Sequence, residues 1–256
     1  MKKFQFAFPF FMIAIMLISC VHAEEIQTSH EGVILVHGFA RNQTGMEKIG
    51  NFLKQHGYSV YYVDYSSLGK PIEDIKNQVD AQILEIIGKH RKIHFVGHSL
   101  GGLLARSFID RHKTPSLGRV VTMGSPAKGT PVVEYLQDRW WFSFAGEAAL
   151  ALGSQGSAFL KSIKQPNYEL GVIAGVESCF DSEKIIGGAN DGLVPVSSTR
   201  VQGMKDFITL PVNHAYMRYD KQTIFNVLHF IQFGKFYDNQ EQKSGLEKQS
   251  KSIQKI

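Results

Sequence analysis

The chain has 256 residues, 43% hydrophobic and 20% charged, a composition that excludes collagenous, low-complexity and wholly disordered proteins. Its formal charge of +5, less Lys2 and Lys3, is only +3, too mild for a nucleic-acid-binding surface. Two cysteines, Cys20 and Cys179, and no Cys/His cluster at zinc spacing leave neither a disulfide framework, a metal nor a cofactor to be expected.

The N-terminus reads as an address. Lys2 and Lys3 precede an uncharged run from Phe4 to Ile18, then Ser19-Cys20-Val21-His22-Ala23 and the acidic pair Glu24-Glu25. A basic start, an apolar middle and small residues at the exit predict a secretory signal peptide over residues 1–23. The apolar run, about fifteen residues and interrupted by Pro9, falls short of the roughly twenty that span a bilayer; an uncleaved anchor is the competing reading. Leu17-Ile18-Ser19-Cys20 also resembles a lipobox, which would make the leader residues 1–19 and Cys20 a lipidation site. Either route exports the chain to the periplasm, cell envelope or medium, where disulfides are permitted. With Cys20 removed or acylated, Cys179 has no partner in its own chain.

About 235 residues remain, the size of one large α/β domain. Val33-Ile34-Leu35-Val36 is an apolar run suited to a strand covered on both faces. Thr44-Gly45-Met46-Glu47 has the form of a capping box, followed by a helical face of Met46, Ile49, Phe52 and Leu53, with Gly57 after the end. Tyr58 to Tyr65 reads as the next strand. Pro71 opens a helix carrying Ile72, Ile75, Val79, Ile83 and Ile86, with Gly88 as its stop.

Ile93-His94-Phe95-Val96 is strand-like, Leu100 to Phe108 helical, and Val120 to Met123 strand-like again. Such alternation predicts a mostly parallel central sheet flanked by helices. It breaks at about 127–166, where Trp140-Trp141-Phe142, Phe144 and an Ala/Leu-rich run suggest a small cap or insert; a core helix is the other reading. Tyr168 to Val176 and Phe207 to Leu210 give two last strands, and Ile224, Val227, Leu228 and Ile231 a closing helix. One domain over residues 32–233 is expected, with residues 235–256 a polar, flexible tail.

Gly97-His98-Ser99-Leu100-Gly101 matches G-x-S-x-G between an apolar strand and an amphipathic helix. That is the strand–turn–helix setting a nucleophile elbow requires, where a strained serine stands above the sheet and side chains at either glycine would collide with the neighbouring strand and helix. A merely capping serine is the bland alternative.

A serine hydroxyl needs a base, and the base an orienting acid. Downstream lie His112, His214 and His229; only His214 follows the last strand in a loop at the carboxyl end of the sheet. Asp191, in Asn190-Asp191-Gly192, is the candidate acid, although those residues favour turns unaided. Asp181 competes, whereas Asp206 precedes a strand and so lies at its wrong end. His37-Gly38-Phe39 follows the first strand, which points to the backbone N–H groups of Phe39 and Leu100 as an oxyanion hole. His37 and His98 are expected to fix loops rather than transfer protons.

These motifs, with Gly124-Ser125-Pro126, Gly129-Thr130-Pro131 and Asn190 to Pro195, resemble the bacterial lipase/esterase branch of the α/β-hydrolases over Gly32 to Phe233. The resemblance implies two-step acyl transfer from an ester or lipid substrate through Ser99, by a monomer. Larger members carry a developed lid, a calcium site and a disulfide; here the disulfide cannot form, no calcium site is evident and the insert is modest. Trp140, Trp141 and Phe142 are then candidates for an acyl pocket or for contact with a membrane surface, against a plain core role. Acyl transfer to an acceptor other than water is an alternative with the same residues. A catalytically silent envelope binding protein is an alternative from another class.

Overall fold

The computed structural model describes residues 31–178 and 183–237. The leader with Cys20, together with Cys179, Asp181 and residues 238–256, lies outside the described residues. The apolar runs form six strands: β1 (Glu31–Val36), β2 (Ser59–Val63), β3 (Lys92–His98), β4 (Leu117–Met123), β5 (Leu170–Gly175) and β6 (Asp206–Leu210). They pair in the order β2-β1-β3-β4-β5-β6, every pair parallel.

Helices α1 (Glu47–Gln55), α2 (Ile72–Leu84) and α3 (Leu100–Arg111) connect the first four strands. The insert holds α4 (Pro131–Leu136), α5 (Glu147–Leu150) and α6 (Ala158–Ser162); α7 (Glu183–Ile186), α8 (Val196–Thr199) and α9 (Lys221–Phe233) complete the chain. Among the described residues no helix is long and apolar enough to cross a membrane.

Because strand side chains alternate, the runs feed two layers. Ile34, Val36 and Phe95 pack with Ile75 and Val79 of α2 and Leu104 and Phe108 of α3. Val33, Leu35 and Val96 pack on the other face with Ile49 and Leu53 of α1 and Val227 and Phe230 of α9. A sheet sandwiched in this way buries both faces, as parallel sheets require. The chain leaves β1 for β2 at one side and returns to β3 at the other, so the strand order reverses there. A crevice therefore opens outside the carboxyl ends of β1 and β3.

Several boundaries depart from the sequence-based expectation. The capping box does not form: Asn42 Oδ1 instead accepts from the Thr44 N–H (3.2 Å) at the head of a 3-10 turn, Gln43–Met46, and α1 follows without a side-chain cap. The second strand is shorter than Tyr58 to Tyr65, because Asp64 and Tyr65 leave the sheet to meet His37. α2 ends at Leu84, before Gly88, the chain passing through turns whose bonds return to Ile83 and Ile86. The Ala/Leu-rich run is neither one core helix nor one cap helix but the single turn α5, with Ala148 and Ala149 buried.

The domain also reaches past residue 233. Gly234 closes α9 in the left-handed conformation (φ 69°), and Phe236 then tucks against Phe230, its N–H donated to Asp206 Oδ2 at 2.6 Å. Asp206 is thus a structural acceptor at the amino end of β6, away from the carboxyl-end crevice.

Candidate active site

Ser99 is the single residue between β3 and α3, held at φ 54° and ψ −124°. Only Ala40, on the loop after β1, is another non-glycine residue at positive φ among the described residues. Such strain persists only where the surroundings over-determine it. Here Ser99 N–H donates to the Met123 carbonyl (2.9 Å) and its own carbonyl accepts from Gly102 (3.1 Å). The flanking glycines allow backbone to meet backbone: a Cβ at Gly97 would lie 2.4 Å from Gly102 Cα, and one at Gly101 2.2 Å from the carbonyl oxygens of Val36 and His37.

His214 enters from the loop after β6. Its Nε2 lies 3.0 Å from Ser99 Oγ and its Nδ1 2.7 Å from Asp191 Oδ2. Buried carboxylates need partners. Asp191, only 2% exposed, has them: Oδ1 accepts from the N–H groups of Leu193 (3.0 Å) and Val194 (2.7 Å), and its carbonyl accepts from His214 N–H (2.8 Å). Gly124, at the end of β4, leaves the space: a Cβ there would sit 3.1 Å from both Asp191 Oδ2 and His214 Nδ1. The structure therefore brings Ser99, Asp191 and His214 together.

The other histidines serve elsewhere. His112 caps α3 and contacts Asp80 at 2.9 Å, and His229 Nδ1 contacts the Lys235 carbonyl at 2.7 Å. His98 Nε2 meets the His214 carbonyl at 3.0 Å. Burial, then the nearby His214, Arg218 and Arg41, hold His98 well below the usual histidine range. It is therefore neutral and, facing a carbonyl, carries its proton on Nε2, bracing the backbone of His214. His37 stacks on Tyr65 with ring centroids 4.1 Å apart, and Tyr65 Oη donates to its carbonyl at 2.6 Å. Burial likewise lowers His37.

Phe39 lines the same cavity as Ser99, and Leu100 is the first residue of α3, where a helix presents free N–H groups. Neither N–H meets an acceptor among the described residues. The cavity, about 240 Å³, is lined by Ser99 and His214 together with the apolar Val133, Leu136, Phe142 and Leu152. Of the three aromatics proposed for an acyl pocket, only Phe142 takes that position. Trp140 is 82% exposed and Trp141 45% exposed, and neither lines the cavity or enters the core, because the 3-10 turn Phe142–Ala145 directs only Phe142 inward. A larger open depression, about 620 Å³ beside β6 and α9, contains none of these residues.

Among the cavity residues that escaped the sequence reading, two are charged: Arg41 and Arg218. Arg218 sits in the 3-10 turn Met217–Tyr219 just after His214, and no residue pattern marks it. Among the described residues no group of three His, Cys, Asp or Glu is placed to hold a metal.

A parallel sheet with a strained elbow serine at the end of its third strand, and His214 and Asp191 in the loops above it, defines the α/β-hydrolase fold. Residues 32–168 match the family described as palmitoyl protein thioesterase, more than half of the chain, and the protein belongs to that family. Among solved structures it is similar to the mature lipase BlEst2 of Bacillus licheniformis (TM-score 0.65, 20% identity, 79% of this chain and 91% of that one). It is also similar to the phospholipase PlaB of Legionella pneumophila (TM-score 0.62, 16% identity, 79% of this chain and 60% of that one). A third is the metagenomic carboxyl esterase MGS0156 (TM-score 0.53, 17% identity, 74% and 66%). At these identities the likeness is one of fold. No curated protein matches the sequence.

Proposed function

We propose that the protein is an exported serine hydrolase that cleaves acyl esters through an acyl-enzyme on Ser99. The observation that carries this reading is the continuous contact from Ser99 Oγ through His214 to Asp191, at 3.0 and 2.7 Å, beside an apolar cavity. As Oγ attacks the carbonyl carbon, His214 Nε2 takes its proton, while Asp191 holds Nδ1–H and stabilises the imidazolium. The oxygen that gains charge is received by the N–H groups of Phe39 and Leu100. His214 then protonates the leaving alcohol, the acyl C–O bond breaks, and water attacks the acyl-serine by the reverse route. Val133, Leu136, Phe142 and Leu152 receive the acyl chain. At about 240 Å³ the cavity is smaller than the roughly 300–1,000 Å³ of most ligand sites, so long chains need the cap to shift.

The match to the palmitoyl protein thioesterase family favours a second substrate reading, S-acyl thioesters, which the same residues serve with a thiol as leaving group. Export rests on the N-terminal leader, tested by finding the protein, with or without lipid on Cys20, in the envelope or medium fraction of cells producing the full chain. Activity is tested on p-nitrophenyl esters of graded chain length and on matched S-acyl thioesters, with Ser99→Ala beside the parent. Turnover that disappears in Ser99→Ala supports the mechanism, and the better of the two series assigns the bond. No turnover on either series by a folded parent protein refutes the hydrolase reading.

A further inference from the structure

Arg218 is an unusual wall for an apolar cavity. It is 7% exposed, and its Nε and Nη1 are buried without an acceptor. No carboxylate pairs with it among the described residues. A buried guanidinium with idle donors is costly unless something completes it. Its position is nevertheless built. The guanidinium lies over the Tyr219 ring, 4.7 Å from the centroid, and Gly45 makes room, since a Cβ there would stand 3.3 Å from Nε.

Arg218 also borders a second, open groove of about 380 Å³, and Arg41 likewise lines both this groove and the acyl cavity. The rest of the groove carries no charge; Asn42, Thr44, Ser66, Ser67 and Tyr219 line it beside the apolar Ala40 and Leu68. Ser67 Oγ accepts from the Ala40 N–H (2.8 Å), which ties the groove wall to the strained turn beside Phe39. Asp64, just before Ser66 and Ser67, accepts from Gln43 N–H (2.9 Å). The chamber that holds the nucleophile and the cationic groove thus share Arg41 and Arg218 as a common wall.

We propose that this groove binds a phosphate group on the leaving-alcohol side of the substrate, held by Arg218 and Arg41, so that the favoured ester is an acylated glycerol phosphate. The inference rests on the hydrolase reading above and adds the substrate class. Hydrolysis breaks only the acyl C–O bond; water supplies the oxygen of the acid and the proton of the alcohol, and the phosphate leaves unchanged. Arginine suits phosphate because its planar fork presents parallel N–H donors. The shared edge of groove and cavity calls for a phosphate few bonds from the ester, as on glycerol, rather than at the end of a long arm.

The test compares 1-decanoylglycerol 3-phosphate with 1-decanoylglycerol, both below aggregation, on the full mature protein. The parent should favour the phosphorylated ester at least tenfold in kcat/KM. Arg218→Gln and Arg41→Gln should each reduce that ratio by about tenfold to a hundredfold, and Arg218→Lys should retain part of it. Arg41 is exposed, so its variant reads the groove even if a buried change at Arg218 unfolds the protein.

Calorimetry on Ser99→Ala, independent of turnover, should show glycerol 3-phosphate binding more tightly than inorganic phosphate, with Arg218→Gln abolishing both. Equal turnover of the two esters, or a ratio unmoved by both arginine variants, overturns the proposal while leaving the hydrolase reading intact. Inorganic phosphate binding as tightly as glycerol 3-phosphate also overturns it, as does a preference for an S-acylated acidic peptide over the phosphorylated ester. Failure of every ester and thioester refutes the hydrolase reading instead, and the calorimetry then decides the groove by itself.

Discussion

The carboxyl-end crevice and the insert over it are built to different standards. In the crevice, Asp191 is locked by two backbone donors and His214, the His214 carbonyl by His98, and Ser99 by Met123 and Gly102. In the insert, short turns of helix carry Trp140, Phe144 and Leu150 on the outside, 82%, 72% and 49% exposed. Contact with the loop before α2 is through two long backbone bonds, Gly69 N–H to Ala145 O (3.2 Å) and Ala148 N–H to Lys70 O (3.3 Å). Groups that must meet within a few tenths of an ångström hang from a saturated parallel sheet. Groups that choose among acyl chains sit on short turns of helix whose inner residues, Phe142 and Leu152 among them, are buried and whose outer ones face solvent.

Substitutions on the two sides should therefore differ greatly in effect. Largest is Ser99→Ala, expected to lower kcat on the order of 10⁶-fold with folding intact, as measured by ester turnover and thermal melting. A residual rate within tenfold of the parent would assign the chemistry elsewhere. Next, Gly101→Ala drives a methyl to 2.2 Å from the carbonyl oxygens of Val36 and His37, and should cost about 1–3 kcal/mol or more in urea unfolding and most of the activity. Unchanged stability would mean that α3 does not rest on the β1 loop as described.

A third effect is set by pH. Burial keeps His37, His94 and His98 below the ordinary histidine range, so in mild acid the unfolded chain binds protons that the folded chain refuses. Stability from this source is fully present above about pH 7 and declines as pH falls through about 6.5 toward the lower folded values. Urea titrations at about pH 7.5 and 5.5 should show the decline, and a flat profile would contradict the buried, neutral state of these rings. The smallest effect belongs to Trp140→Ser. Stability should change by no more than about 0.5 kcal/mol and turnover of a dissolved short ester should hold, whereas adsorption to lipid vesicles should fall. A destabilisation beyond about 2 kcal/mol would show Trp140 to be packed rather than exposed.

What could be read from the sequence follows the same division. Parallel strands buried on both faces leave continuous apolar runs, and the elbow leaves its glycines, so the parallel sheet and the strand-to-helix turn at Ser99 were legible, though not the strand order. His214 and Asp191 could be singled out as candidates because they lie in loops leaving the carboxyl side of the sheet. Their bracing was not: nothing local tells that Gly124 clears space for Asp191 and His214, or that His98 supports the His214 backbone. Composition misled at the insert, since adjacent tryptophans suggest burial, yet one turn of 3-10 helix sends only Phe142 inward. Arg218 is invisible for a related reason. A lone arginine after the histidine has no periodicity, and its isolation exists only after folding.

The foot of the insert carries a consequence for recombining such domains. Thr130 Oγ1 donates to the Leu193 carbonyl (2.5 Å), Ser198 Oγ to the Gly129 carbonyl (2.5 Å), and Lys128 N–H to the Ser198 carbonyl (3.1 Å). Residues 128–130 are therefore stitched to the loop that bears Asp191, although more than sixty positions separate them along the chain. A chimera that imports a foreign insert should splice downstream of Thr130. A graft joined at Ala127 would cut those stitches and loosen the acid from a distance, while every residue of the triad kept its identity.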